Sequence, residues 1–109
     1  VVYTGTHDND TLCGWYKVLD PDDLKLSQKY MNNANTPKRQ IHWDFIRLAL
    51  ASVADLCIIP LQDYLGLGSE ARINTPSTLG NNWRWRMTQG CLTKELADQI
   101  RELTTLYGR

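Results

Sequence analysis

The chain has 109 residues, enough for one domain with a core, and its 42% apolar and 22% charged content marks a globular rather than a disordered polypeptide. Lys and Arg number 12 and so do Asp and Glu, so charge gives no case for nucleic acid or an anionic membrane as a partner. No apolar run reaches the length of a membrane-spanning helix.

Residues 1–3, a β-branched and aromatic run, read as a strand. That strand delivers Thr4-Gly5-Thr6-His7-Asp8-Asn9-Asp10-Thr11, a glycine, an imidazole and two carboxylates in one short stretch. In open α/β sheets and (β/α) barrels, the strand's carboxyl end is where ligands bind. Residues 9–19 follow as a short helix with Leu12, Trp15, Tyr16 and Leu19 at helical spacing. Asp20-Pro21-Asp22-Asp23 starts another helix, with Asp20 as cap and Pro21 at the first helical position, and Asn32-Asn33-Ala34-Asn35 ends it. Thr36-Pro37 predicts a third helix over residues 36–53, with Ile41, Phe45, Leu48 and Ser52 on one stripe and Ile46, Ala49, Leu50 and Val53 beside it. Residues 56–60, a continuous apolar run closed by Pro60, fit a buried parallel strand, the helices before it supplying the crossover. A long polar loop over 61–89 and an amphipathic helix over 93–107, with Leu96, Ile100, Leu103 and Tyr107 on one face, complete the chain.

Three cysteines, Cys13, Cys57 and Cys91, are odd in number and widely spaced, which argues against a disulfide framework or a thiolate metal site. Reduced, buried thiols in a cytoplasmic protein are expected. The sequence opens without methionine, inside a strand, and holds only two strands. Two parallel strands do not make a covered sheet, so a carboxy-terminal piece of a longer polypeptide is expected.

His7 and Asp8 can bond vicinal hydroxyls, and a carboxylate beside a sugar steadies positive charge building on the anomeric carbon. The competing reading makes Asp8 a helix cap and His7 an ordinary loop residue. Asp10 and Asp63 read as structural acids or caps. His7, Asp8 and Asp10 together offer mixed nitrogen and oxygen donors of the kind metal-dependent phosphohydrolases use, but adjacent strand residues point to opposite faces unless the loop turns sharply. His42 lies mid-helix, solvated or packing. In Asn82-Trp83-Arg84-Trp85-Arg86 the interleaved aromatics and arginines could stack on bases, against which the neutral charge argues, or pack on sugar rings; the preferred reading makes the tryptophans loop anchors filling the core.

Tyr3-Thr4-Gly5-Thr6-His7-Asp8-Asn9-Asp10-Thr11, Ile59-Pro60-Leu61-Gln62-Asp63-Tyr64-Leu65-Gly66-Leu67, Ala71-Arg72-Ile73-Asn74-Thr75-Pro76 and Asn82-Trp83-Arg84-Trp85-Arg86 occur in this order over essentially the whole chain. Together they resemble the carboxy-terminal part of the 4-alpha-glucanotransferases, also called amylomaltases or disproportionating enzymes. Ile73 stands where the family often has methionine and Ser77 where glycine is frequent, neither at a position of chemistry. The resemblance implies a (β/α)8 barrel and transfer of α-1,4-glucan segments between maltooligosaccharides with retention, through an aspartate nucleophile and a glutamate acid/base that match no residue here. It matches Asp8 to the family's transition-state-stabilising carboxylate, His7 to the histidine that bonds the same sugar, and Asn74 to an asparagine lining the cleft. It implies no metal and no organic cofactor.

The expected fold is α/β, residues 1–109 forming the last two βα units of a (β/α)8 barrel, with His7, Asp8, Gln62 and Asp63 at its carboxyl-end face. The expected partners are a maltooligosaccharide or α-glucan substrate and the upstream part of the same barrel, with neither nucleic acid nor membrane. A metal-dependent phosphohydrolase and a non-catalytic carbohydrate-binding module are the alternatives. The separate chain, lacking nucleophile and acid/base, is expected to be inactive and poorly folded.

Overall fold

The computed structural model describes residues 1–109 as two short strands and five α-helices in the order β1 (Val2–Tyr3), α1 (Leu12–Lys17), α2 (Pro21–Met31), α3 (Ile41–Leu50), β2 (Cys57–Ile58), α4 (Leu61–Tyr64) and α5 (Lys94–Leu106). The strands pair in parallel, Val2 opposite Cys57 and Tyr3 opposite Ile58, and three helices lie between them in sequence. The crossover unit expected from the sequence is therefore present.

Side chains set the helix ends. Thr11, rather than Asp8, caps α1, its hydroxyl accepting from the Gly14 N–H at 3.1 Å. The helix begins later than residue 9 because residues 6–9 form a turn: Asn9 Oδ1 accepts from the Thr6 N–H at 2.7 Å. Asp20 caps α2, its carboxylate accepting from the Asp22 N–H at 2.8 Å, and Asn32 ends it in the left-handed region at φ 52°. Thr36 does not cap α3, since its hydroxyl accepts from Asn33 Nδ2 at 2.7 Å; a 3-10 turn at Lys38–Gln40 intervenes and the α-helix starts at Ile41. It stops at Leu50, short of residue 53, where the Arg109 guanidinium donates to the carbonyls of Leu50 at 2.8 Å, Ser52 at 3.0 Å and Ala54 at 2.7 Å. Carbonyls that a longer helix would have used are satisfied from the far end of the chain.

The core is small. Leu12, Ile46, Leu50 and Leu103 form its centre, flanked by Trp43, Phe45, Ile59, Tyr64 and Tyr107. Ile46 is fully enclosed, and burying a side chain of that size contributes about 1.5–3 kcal/mol. The buried stripe of α3 is Ile41, His42, Ile46, Ala49 and Leu50, so the predicted stripe is corrected at Leu48 and Val53, which are exposed. Only 12 of 109 residues are buried, and an open, largely apolar groove of about 680 Å³ runs between Val2, Tyr3, Trp15, Tyr30, Phe45 and Leu48. The cysteines are free, and where buried thiols were expected all three are only partly buried.

His42 is 5% exposed and its Nδ1 has no hydrogen-bond partner. Gly66, at φ +65°, lies so close that a Cβ there would come within 2.8 Å of His42 Cε1. Burial lowers the His42 pKa from its ordinary 6.5, and the Asp63 charge only partly opposes this. A lowered folded-state pKa means that the unfolded chain binds the proton first as pH falls. Stability is thus full above the unfolded value and declines as pH drops from there toward the folded value. Thermal midpoints measured at descending pH below about 6.5 should fall, and His42→Leu should flatten that part of the profile. An unchanged slope in His42→Leu would assign the acid sensitivity to other groups.

Candidate functional site

The site grows from the carboxyl ends of both strands. After β2, Pro60 turns the chain into α4, which turns Gln62 and Asp63 inward. The Asp63 carboxylate is 3% exposed; it accepts from the Leu12 N–H at 2.8 Å and from the Thr4 hydroxyl at 2.6 Å. One buried carboxylate therefore ties the end of β1 to the start of α1 and fixes both ends of the loop between them, the structural role expected of it. Gln62 Nε2 donates to the Ala71 carbonyl at 3.2 Å and so anchors the loop that follows. Asp10 is structural as well, accepting from the Thr11 N–H at 2.8 Å and the Ser69 hydroxyl at 2.7 Å.

The anchored loop then reaches back over the first. The Asn74 N–H donates to the His7 carbonyl at 3.1 Å, and Asn74 Nδ2 donates to Asp8 Oδ1 at 2.8 Å. Arg72 bridges both segments, its guanidinium donating to the Asp8 carbonyl at 2.6 Å and to the Asn74 carbonyl at 2.9 Å. His7 Nε2 lies 3.3 Å from Asp8 Oδ2, with both side chains about half exposed. His7, Asp8 and Asn74, far apart in sequence, thus meet in one cluster. Its Asp8 carboxylate accepts from the Asn74 amide on one oxygen, has the His7 imidazole beside the other, and remains open to solvent. Asp10 does not join them, and no set of three His, Cys, Asp or Glu side chains converges as metal ligands would.

Trp83 is not a core anchor, whereas Trp85 is partly buried. Trp83 is 58% exposed, and its indole lies beside the His7 ring with centroids 5.0 Å apart and planes inclined by 34°. Its backbone sits at φ +62°, a left-handed conformation that costs a bulky residue on the order of 1–3 kcal/mol. The Trp83 N–H donates to the Ile73 carbonyl at 2.7 Å, beside Asn74. Arg72 does not stand out in sequence as a site residue and Trp83 reads there mostly as packing, since the Asp8 carbonyl and the His7 ring that they meet lie on the distant first loop.

Burial pushes the Cys13 thiol up, with the charges of Asp63 and Glu70 adding to it, and burial likewise raises Cys57 against an opposing pull from Arg109. Neither thiol is suited to act as a nucleophile. No helix is long and apolar enough to cross a membrane.

Known proteins are similar to this chain over nearly its full length. The backbone is similar to that of an amylomaltase from Streptococcus agalactiae solved in complex with acarbose, with a TM-score of 0.89 and 35% identity, covering 98% of this chain and 21% of that one. A 4-alpha-glucanotransferase from a Synechocystis species is 49% identical over 110 residues, all of this chain and 21% of the relative. The chloroplastic/amyloplastic 4-alpha-glucanotransferase of Arabidopsis thaliana is 46% identical over 112 residues, all of this chain and 19% of the relative, so the present chain spans about a fifth of the length of such proteins. The family model described as 4-alpha-glucanotransferase matches residues 1–93, and the chain belongs to that family.

Proposed function

We propose that this chain forms the carboxy-terminal wall of a (β/α)8 barrel that transfers α-1,4-glucan segments between maltooligosaccharides. In this reading Asp8 is the transition-state-stabilising carboxylate. The observation that carries it is the Asp8 carboxylate itself, set after a parallel strand's carboxyl end, held by a hydrogen bond from Asn74 with His7 beside it, and open to solvent. Positive charge grows on the anomeric carbon as the glycosidic bond breaks in a retaining double displacement. A carboxylate already placed there, with its hydrogen bond from Asn74 made in advance, stabilises that charge without reorganising. His7 and Asn74 bond the same sugar's hydroxyls, and neither metal nor organic cofactor takes part. The aspartate nucleophile and glutamate acid/base come from the upstream part of the same polypeptide. The apolar groove beside β1 receives the preceding barrel wall, which supports the barrel reading because a two-stranded parallel sheet with so small a core is incomplete by itself. Free thiols suit a reducing compartment, and the reading places the protein in the cytoplasm.

The neighbour solved with acarbose supplies the probe. In a crystal of the complete polypeptide soaked with acarbose, hydroxyls of the inhibitor should lie within hydrogen-bond distance of Asp8 and His7. An ordered inhibitor in the cleft that touches neither would remove both residues from sugar binding.

A further inference from the structure

Trp83 has no folding role that accounts for its geometry. Its indole is mostly exposed, so burial does not hold it there, and its backbone occupies a left-handed conformation that a glycine would take without strain. The conformation is nevertheless held firmly. The Trp83 N–H is bonded to the Ile73 carbonyl, and the Arg86 guanidinium donates to the carbonyls of Trp83 at 3.4 Å and Trp85 at 2.8 Å. The result is to lay the indole over the imidazole of His7, whose side chain is otherwise half exposed.

We propose that Trp83 is a positioning residue that acts through His7. The indole covers one face of the imidazole and restricts its rotation. That keeps Nε2 against Asp8 Oδ2 and fixes the direction in which the remaining ring nitrogen meets a sugar hydroxyl. The same loop carries Asn74, so one anchored segment bonds the Asp8 carboxylate directly through Asn74 and reaches its other neighbour, His7, through the tilted Trp83 ring. Site groups must be held to within a fraction of an ångström, and small misplacements lower turnover by up to two orders of magnitude. The inference rests on the transfer reading of the His7–Asp8 cluster.

The test is steady-state disproportionation of maltotriose by the complete polypeptide. Asp8→Asn comes first: wild-type turnover in that variant would remove the site reading itself, and this proposal with it. With Asp8→Asn impaired, Trp83→Gly should relax the backbone and delete the ring, lowering kcat by about tenfold while KM moves less than about threefold and the melting temperature does not fall. Trp83→Phe, which keeps a ring over His7, should restore kcat to within about threefold of wild type. In a His7→Ala background, Trp83→Gly should cost nothing further, because the residue it positions is gone. An equal loss in both backgrounds, a loss that follows a lowered melting temperature, or a rise in KM alone would each overturn the assignment.

Discussion

Asp8→Ala in the complete polypeptide is expected to lower kcat for maltotriose disproportionation by about 10²–10³-fold with little change in KM. The carboxylate has no buried partner whose loss would unfold the protein: it accepts from Asn74 at 2.8 Å, lies 3.3 Å from His7, and is half exposed. Its proposed work is done when charge develops on the sugar, so removing it should lower kcat and kcat/KM together. Asp8→Asn separates charge from hydrogen bonding. Its amide oxygen still accepts from Asn74 while the negative charge is gone, and a loss close to that of Asp8→Ala is expected if charge carries the effect. Glucose release over a maltotriose concentration series measures both constants. Turnover near wild type in either variant would contradict the role.

The largest stability effect should come from Asp63→Ala, which ought to destabilise the fold by about 2–4 kcal/mol. The carboxylate is buried and satisfies the N–H that opens α1 together with the Thr4 hydroxyl at the end of β1. Alanine leaves the Leu12 N–H buried without an acceptor and frees both ends of the loop that carries His7 and Asp8. Asp63→Asn should cost about half as much, because its oxygen can serve one donor while its NH₂ opposes the other. Urea unfolding reads this as a shift of midpoint at constant slope. An unchanged midpoint would mean that the Asp63 hydrogen bonds do not hold the loop.

Local chemistry made much of the fold legible. Asp20-Pro21 and Asn32 mark both ends of α2, and α5 begins where expected, after Thr93, whose hydroxyl accepts from the Leu96 N–H at 3.1 Å. The parallel pairing of the two strands follows from a helical crossover between apolar runs. Where expectation and structure part, the cause lies elsewhere in the chain. Arg109 halts α3 by taking carbonyls that a longer helix would have used, and Asn33 takes the hydroxyl that would have made Thr36 a cap. The buried face of α3 differs from the expected stripe, with Leu48 exposed and His42 enclosed, while Val53 is exposed because it lies beyond the helix end at Leu50.

The site divides in the same way. His7 and Asp8 could be nominated from a single stretch, because the cluster is contiguous and follows a strand. Asn74 could be nominated only through family resemblance, since its hydrogen bond to Asp8 spans 66 residues. The places of Arg72 and Trp83 were not legible for a related reason. Arg72 reads locally as one polar group of a loop and Trp83 as packing, whereas the Arg72 guanidinium clamps two loops and the Trp83 indole lies beside a histidine outside the core.

The measurement that bears most directly on the transfer reading is a product assay on maltotriose, run on this chain and on the same chain joined to its upstream part. The longer protein should produce glucose together with maltooligosaccharides longer than the substrate, and the 109-residue chain should produce neither. If the longer protein leaves maltotriose unchanged, or the short chain redistributes glucose units unaided, the proposed division of the site between this segment and the rest of the barrel is contradicted.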